Sequence, residues 1–144
     1  MRLVLCAALV AAACAPADKS RALAAGPAQK YAGTWDGRAY HSESDTGTPF
    51  RIVSSVAEDG SLRGTLMFPQ GSEPPIPVRA RHVSDTVLVN EMGPYQSPTA
   101  HRRVRTTTTG RLYGDSLNGT FEMLPADGGN PIMSGTFRSK RVVP

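Results

Sequence analysis

Short stretches of alternating apolar and polar residues follow one another from Tyr31 to the C-terminus, and clusters of Gly, Pro, Asp or Ser separate them. A period of two is typical of β-strands that bury one face. No stretch in this part of the chain has helical periodicity, so an all-β fold is expected. The alternation predicts about eight strands, at residues 31–41, 49–57, 61–68, 76–82, 86–92, 101–110, 117–124 and 132–142.

The fifth predicted strand and the segment after it are the least regular part of the pattern. In residues 86–92 the β-branched Val87 and Val89 are expected to point inward. Residues 93–100 (GPYQSPTA) contain two Pro and one Gly, so they are predicted to form a long irregular connection. With Tyr95 at its centre, this connection is a candidate lid over the end of the fold.

A three-residue module, Gly-Thr followed by a large apolar residue, recurs along the chain. A Gly on the same face as a bulky inward side chain allows a strand to bend strongly, as a small closed barrel requires. Strands in up-and-down order with such bends favour an antiparallel barrel over a sandwich. The module occurs at residues 33–35, 64–66, 119–121 and 135–137.

Composition agrees with one small domain and narrows the range of partners. The chain has 144 residues, of which 40% are hydrophobic and 19% charged, which is enough for a single core. The formal net charge is +4 and no long basic run is present, so nucleic acid is not an expected partner. The chain is expected to be a monomer.

The N-terminus has the pattern of an export signal. Met1 and Arg2 precede eleven uncharged, mostly apolar residues, 3–13. This run is shorter than the roughly 20 residues that a helix needs to cross a bilayer, and it matches the apolar region of a signal peptide. The two Cys of the chain, Cys6 and Cys14, both lie in or next to this run, so no disulfide is expected in the mature domain.

The segment Val10-Ala-Ala-Ala-Cys14 resembles the lipobox of bacterial lipoproteins. The resemblance implies cleavage before Cys14 and acylation of that residue. Because Ala15 is not Asp, the sorting rule of that family implies the outer membrane, facing the periplasm. Ordinary cleavage after Ala13-Cys14-Ala15 is the alternative, and it would give a soluble periplasmic or secreted protein. The predicted division is a signal peptide at 1–13, a disordered tether at 14–29 and a barrel domain at 30–144.

The sequence Gly33-Thr34-Trp35 resembles the Gly-x-Trp motif of lipocalins and the wider calycin group, and the whole chain resembles bacterial lipocalin-like lipoproteins. The resemblance implies that Trp35 is a structural residue near the closed end of the barrel. A basic residue of the last strand packs over this Trp in that family, and Arg138 or Arg141 would take that place here. The Thr-Asp-Tyr motif and the C-terminal helix of lipocalins are absent from the sequence.

The sequence contains no motif for catalysis, metal binding or a cofactor. It has no nucleophile elbow, metal-hydrolase helix or phosphate-binding Gly loop. Its three His, at 41, 82 and 101, lack ligand spacing, and the acidic residues Glu43 and Asp45 are read as part of a solvated loop. We therefore expect a protein that is not an enzyme and has no catalytic residue, metal or cofactor.

Two functions remain open at this stage. The first is a lipid-anchored envelope protein whose barrel binds a small apolar ligand. The second is an envelope protein-interaction or inhibitor module without an internal ligand, for which the basic residues Arg103 and Arg105 are the candidate contacts. For the first function the candidate ligand contacts are Phe50, Leu66, Tyr95 and Phe121.

Overall fold

The computed structural model describes residues 26–97 and 99–143. The predicted signal peptide, Cys14 and nearly all of the predicted tether lie outside the described residues. The described part begins with a 3₁₀ helix at Pro27–Tyr31. The sequence assigned residues 27–29 to the tether, but Pro27 starts this helix at a position where its missing N–H and fixed φ are favourable. In the described ranges, helices long and apolar enough to cross a bilayer are absent.

The described residues form eight antiparallel strands that close into one barrel. Each strand pairs with the next along the chain, and the last strand pairs with the first. The predicted all-β, up-and-down barrel is therefore confirmed. The strands are β1 Gly33–Tyr40, β2 Thr48–Val56, β3 Leu62–Met67, β4 Ile76–Val83, β5 Val87–Gln96, β6 Arg103–Tyr113, β7 Ser116–Pro125 and β8 Met133–Arg141.

Alternation of burial along the strands shows why this sequence closes around one interior. In β6, for example, Val104, Thr106 and Thr108 are buried whereas Arg103 and Arg105 are exposed. The inward side chains of all strands meet in a single hydrophobic core. Its buried members are Tyr31, Trp35, Phe50, Leu62, Leu66, Ile76, Val78, Leu88, Met92, Leu117 and Phe137.

Three of the four Gly-Thr modules place their Gly, at 64, 119 and 135, directly against the backbone of a neighbouring strand. A Cβ atom on Gly119 would stand 1.9 Å from the carbonyl oxygen of Thr109, and one on Gly135 would stand 2.1 Å from that of Tyr40. Both distances are far below any allowed contact, so only Gly permits this spacing. Phe121 and Phe137, the large residues of the same modules, are buried inside the barrel. The modules thus combine close strand contact with filling of the interior.

The strand β5 differs from its prediction in both phase and length. Val87 and Val89 are only half-buried, whereas Leu88, Asn90 and Met92 form the buried face, so the predicted inward pair is wrong. The run VLVNEM offers two apolar residues in either phase, and the structure buries the phase that carries Asn90.

The predicted lid at residues 93–100 is also wrong over its first half. Residues 93–96 belong to β5, and Tyr95 pairs with Val104 of β6. A bulge between Met92 and Tyr95 takes up the two intervening residues, so the strand resumes its pairing after them. The connection between β5 and β6 consequently occupies residues 97–102.

The two ends of the barrel are built differently. At one end the tight connections 57–61, 84–86 and 114–115 join the strands, and the 3₁₀ helix packs against β2 and β3. At the other end the connections are longer, at residues 41–47, 68–75, 97–102 and 126–132. We call these the closed end and the open end.

Candidate ligand-binding cavity

The 3₁₀ helix closes its end of the barrel with the side chain of Tyr31, which is 1% exposed. The Tyr31 hydroxyl donates a hydrogen bond to the carbonyl of Ser84, at 3.0 Å. The Tyr31 carbonyl in turn accepts hydrogen bonds from the Trp35 indole, at 3.0 Å, and from the Ser54 hydroxyl, at 2.7 Å. Burial, assisted by the negative charge of Asp85, raises the pKa of Tyr31. Side chains of three elements therefore fix the plug in place.

Arg141, near the end of β8, completes the closed end. Its guanidinium carbon lies 4.4 Å from the centroid of the Trp35 ring, which is a cation–π contact. The same guanidinium donates hydrogen bonds to the carbonyls of Ala32 and Lys30. Of the two basic residues that the sequence offered for this place, Arg141 lies over Trp35, whereas Arg138 is exposed and pairs across the sheet with Arg38.

A cavity of about 110 Å³ occupies the interior between this plug and the open end. For comparison, an apolar protein cavity of about 150 Å³ holds one benzene ring. The side chains around it are mostly aliphatic and aromatic, from Trp35 at the closed end to His41 and Thr99 at the open end. Its size and its lining are therefore those of a site for a small, largely apolar molecule.

All four residues that the sequence proposed as ligand contacts line this cavity, which they reach from four different strands. Phe50 comes from β2, Leu66 from β3, Tyr95 from β5 and Phe121 from β7. The ring of His41 stands edge-on to Phe121, with the centroids 5.4 Å apart, and borders the open end of the cavity.

Tyr95 is bound to the inner wall rather than to a mobile loop. Its hydroxyl and that of Thr106 are hydrogen-bonded at 2.9 Å. Burial raises the pKa of Tyr95, and the hydrogen bond with Thr106 partly offsets this effect. Its position is therefore that of a fixed wall element next to the open end.

Sequence reasoning missed the polar part of the cavity wall. Asn90 of β5 is 6% exposed and lies opposite Thr108 of β6, which is 8% exposed. Thr106 is buried on the same wall. One signal in the sequence could have revealed this wall: Leu88 and Met92 alternate with Asn90 on one face of the strand. The prediction chose the other face, because the β-branched residues Val87 and Val89 lie on it.

The amide oxygen of Asn90 has no hydrogen-bond partner among the described residues. Buried polar atoms in proteins almost always have one, because an unpaired atom loses its bond to water without replacement. Asn90 lines the cavity, so a molecule inside it lies next to the residue that carries this unpaired oxygen.

Charged groups lie outside this site. Of the described residues that line the cavity, none carries a carboxylate, and the one guanidinium belongs to Arg63, which is exposed and paired with Asp59 at 2.6 Å. Groups of three or more potential metal ligands are likewise absent from the described residues. A ligand inside the barrel therefore meets a neutral environment.

The acidic loop between β1 and β2 has a structural explanation. The Asp45 carboxylate accepts hydrogen bonds from the backbone N–H groups of His41 and Gly47, at 3.0 and 2.9 Å. These bonds lower the pKa of Asp45, because they stabilise its charged form. Asp45 thus holds the turn at the open end.

Comparison of the structure with solved proteins identifies the class of fold. The chain is similar to rhizavidin in a crystal structure of its complex with biotin, with a TM-score of 0.54 and 15% sequence identity. This alignment covers 78% of the chain and 92% of rhizavidin. A crystal structure of rhizavidin alone gives a TM-score of 0.47 and 13% identity, over 81% and 94% of the two chains.

Comparisons of the sequence add no family. No protein-family model matches the chain, and no curated protein does either. At 15% identity the structural similarity describes the fold alone, which is a closed, eight-stranded antiparallel barrel like that of rhizavidin.

Proposed function

We propose that this protein binds a small, largely apolar ligand inside its barrel and acts by binding rather than by catalysis. The observation that carries the proposal is the cavity of about 110 Å³ between the Tyr31 plug and the open end. Protein interiors normally leave few voids larger than a water molecule. At about 24 cal/mol per Å³, leaving such a cavity unfilled costs on the order of 2.6 kcal/mol, which a ligand would offset.

The construction of the barrel supports binding over simple poor packing. The hydrogen bonds of Tyr31 and Arg141 fix the closed end, so the interior is preformed and access is from the open end. Preformed sites bind without a large ordering cost. Rhizavidin, with the same type of barrel, is described in a complex with biotin, so a small-molecule ligand is compatible with the architecture.

Small aromatic probes test this function directly. Benzene and toluene should raise the melting temperature of the protein and shift the NMR signals of residues that line the cavity, because a ligand that binds the folded state stabilises it. Replacing the inward Ala39 with Leu would fill part of the cavity and should abolish both effects. Ser55→Leu, on the exposed face of β2, is the matched control and should leave them intact. Absence of binding to the unmodified chain would refute the proposal.

We further propose that Cys14 is acylated and anchors the protein to the outer membrane, facing the periplasm. The lipobox-like segment before Cys14 supports this. Several buried acyl chains, at about 0.8 kcal/mol per CH₂, would make the attachment essentially permanent. Residues 15–26 would leave up to about 40 Å between the lipid and the 3₁₀ helix. Mass spectrometry of the membrane fraction tests this: a soluble mature chain that begins at Ala15 or later would exclude it.

The outer face of β6 supports an additional role in binding an acidic envelope protein. Arg103, Arg105 and Arg111 are all exposed on this face, and among the described residues none of them makes an ion pair. Charged patches of one sign attract partners of the opposite sign. A pull-down from envelope extract should recover a partner with the unmodified chain and lose it when Arg103 and Arg105 are changed to Glu. Equal recovery with both chains would exclude this role.

A further inference from the structure

We propose that Asn90 is the polar anchor of the cavity, and that the ligand is a small neutral molecule with one N–H or O–H group that the Asn90 Oδ1 atom accepts. The proposal rests on the proposed ligand-binding function and specifies the chemistry of the ligand. It starts from a polar side chain that is 6% exposed, lines the cavity and has an amide oxygen without a partner within the described part of the chain.

Among the described neighbours of Asn90, none donates a hydrogen bond to this oxygen. The residue opposite it on β4 is Ala80, which has no polar side-chain atom. The residue opposite it on β6 is Thr108, on the same buried wall. Tyr95 and Thr106, the other polar residues of this wall, are hydrogen-bonded to each other. A donor that approaches through the cavity would therefore complete the set of hydrogen bonds.

The rest of the lining determines the other properties of the ligand. Transferring a charged group into an apolar interior without a counter-charge is very unfavourable, and the described lining residues supply no carboxylate for a cation. The one guanidinium is exposed and already paired with Asp59, so an anion gains no buried partner. Phe50 and Phe137 meet edge-to-face, with centroids 6.3 Å apart, in a lining that suits an aromatic ring. A neutral single-ring molecule with one donor, such as a phenol, fits these conditions.

The experiment compares phenol with toluene, which has a similar shape but no donor, on the full chain and on Asn90→Val. Val is closer to Asn in volume than Leu is, is favoured in a strand and cannot accept a hydrogen bond. The ratio of phenol to toluene affinity should fall about tenfold in the variant, because one hydrogen bond to a buried acceptor is lost. Taking the ratio removes effects of the substitution that both probes share.

A measurement on the unmodified chain provides an independent check. The ¹³C signal of the Asn90 side-chain carbonyl should move when phenol is added and stay in place when toluene is added. If both probes bind and the affinity ratio changes less than twofold, or if both move the signal equally, the assignment of Asn90 is refuted while the cavity function stands. If neither probe binds the unmodified chain, the cavity function itself is refuted.

Discussion

Replacing Arg141 with Met tests how strongly the closed end of the barrel is held together. Met keeps an apolar stem that can cover the Trp35 ring but removes the guanidinium. The substitution would therefore remove the cation–π contact at 4.4 Å and the hydrogen bonds to the carbonyls of Ala32 and Lys30. Those carbonyls connect β8 to the segment that places the Tyr31 plug, so the effect should concern the whole closed end.

The magnitude follows from these contacts. Hydrogen bonds from a charged donor contribute about 1.5 kcal/mol each at the low end of their range, which suits the partly exposed Arg141. The cation–π contact adds about 1 kcal/mol. The pair with Asp115, at 3.5 Å, adds little because Asp115 is 76% exposed. We expect a loss of about 4 kcal/mol, which for a domain of this size lowers the melting temperature by roughly 15 °C.

Urea unfolding followed by circular dichroism and by Trp35 fluorescence would measure this loss. Arg138→Met is the matched control, since it makes the same chemical change three residues earlier on the exposed face of β8. It should alter the free energy of unfolding by less than about 0.5 kcal/mol. If the two variants lose the same stability, the closed end is not held by Arg141 and the reasoning is refuted.

Three further outcomes follow from individual residues. Gly119→Ala should lower the free energy of unfolding in urea by at least about 3 kcal/mol or prevent folding, because its Cβ would overlap a backbone oxygen of β6. The control Thr120→Ala, on the outer face, should lower it by less than about 1 kcal/mol. A hydrogen bond from Arg51 lowers the pKa of Asp36 below its usual 3.8. The ionised carboxylate therefore stabilises the fold above pH 3.8, and this stabilisation is lost as the pH falls through the lowered pKa. Asp36→Asn should therefore lose less stability than the unmodified chain between about pH 4 and pH 2. Burial raises the pKa of Tyr95 above 10.0, so the neutral side chain stabilises the fold below pH 10 and this stabilisation is lost at higher pH. The melting temperature of Tyr95→Phe should therefore fall less at alkaline pH than that of the unmodified chain. An equal fall would contradict the argument.

Most of the fold can be predicted from the sequence because a period of two is a local property. The strand β6 illustrates this: Val104, Thr106 and Thr108 alternate with polar or charged neighbours, and the buried face follows directly. The Gly-Thr modules likewise predict where strands bend, since Gly is needed wherever a backbone oxygen comes too close for a Cβ. Closure of the barrel follows from these bends and from the even succession of hairpins.

The strand β5 shows where local reasoning ends. Its apolar residues support two phases, and the closed barrel buries the one with Leu88, Asn90 and Met92, while a bulge after Met92 extends the strand. Bulges depend on pairing with residues far along the chain, so the local pattern does not contain them. The bulge between Met92 and Tyr95 lets the strand continue to Gln96, which removes the first half of the predicted lid.

By itself the sequence determined the class of fold, the strand succession, the large side chains of the interior and the candidates for the residue above Trp35. These features depend on neighbours along the chain. The tertiary structure decided that Arg141 rather than Arg138 lies over that ring, that a cavity remains between the inward side chains, and that Asn90, whose amide oxygen is unpaired, lines this cavity. These features depend on how far apart opposite walls of the barrel stand, and that distance is set by closure and not by any local pattern.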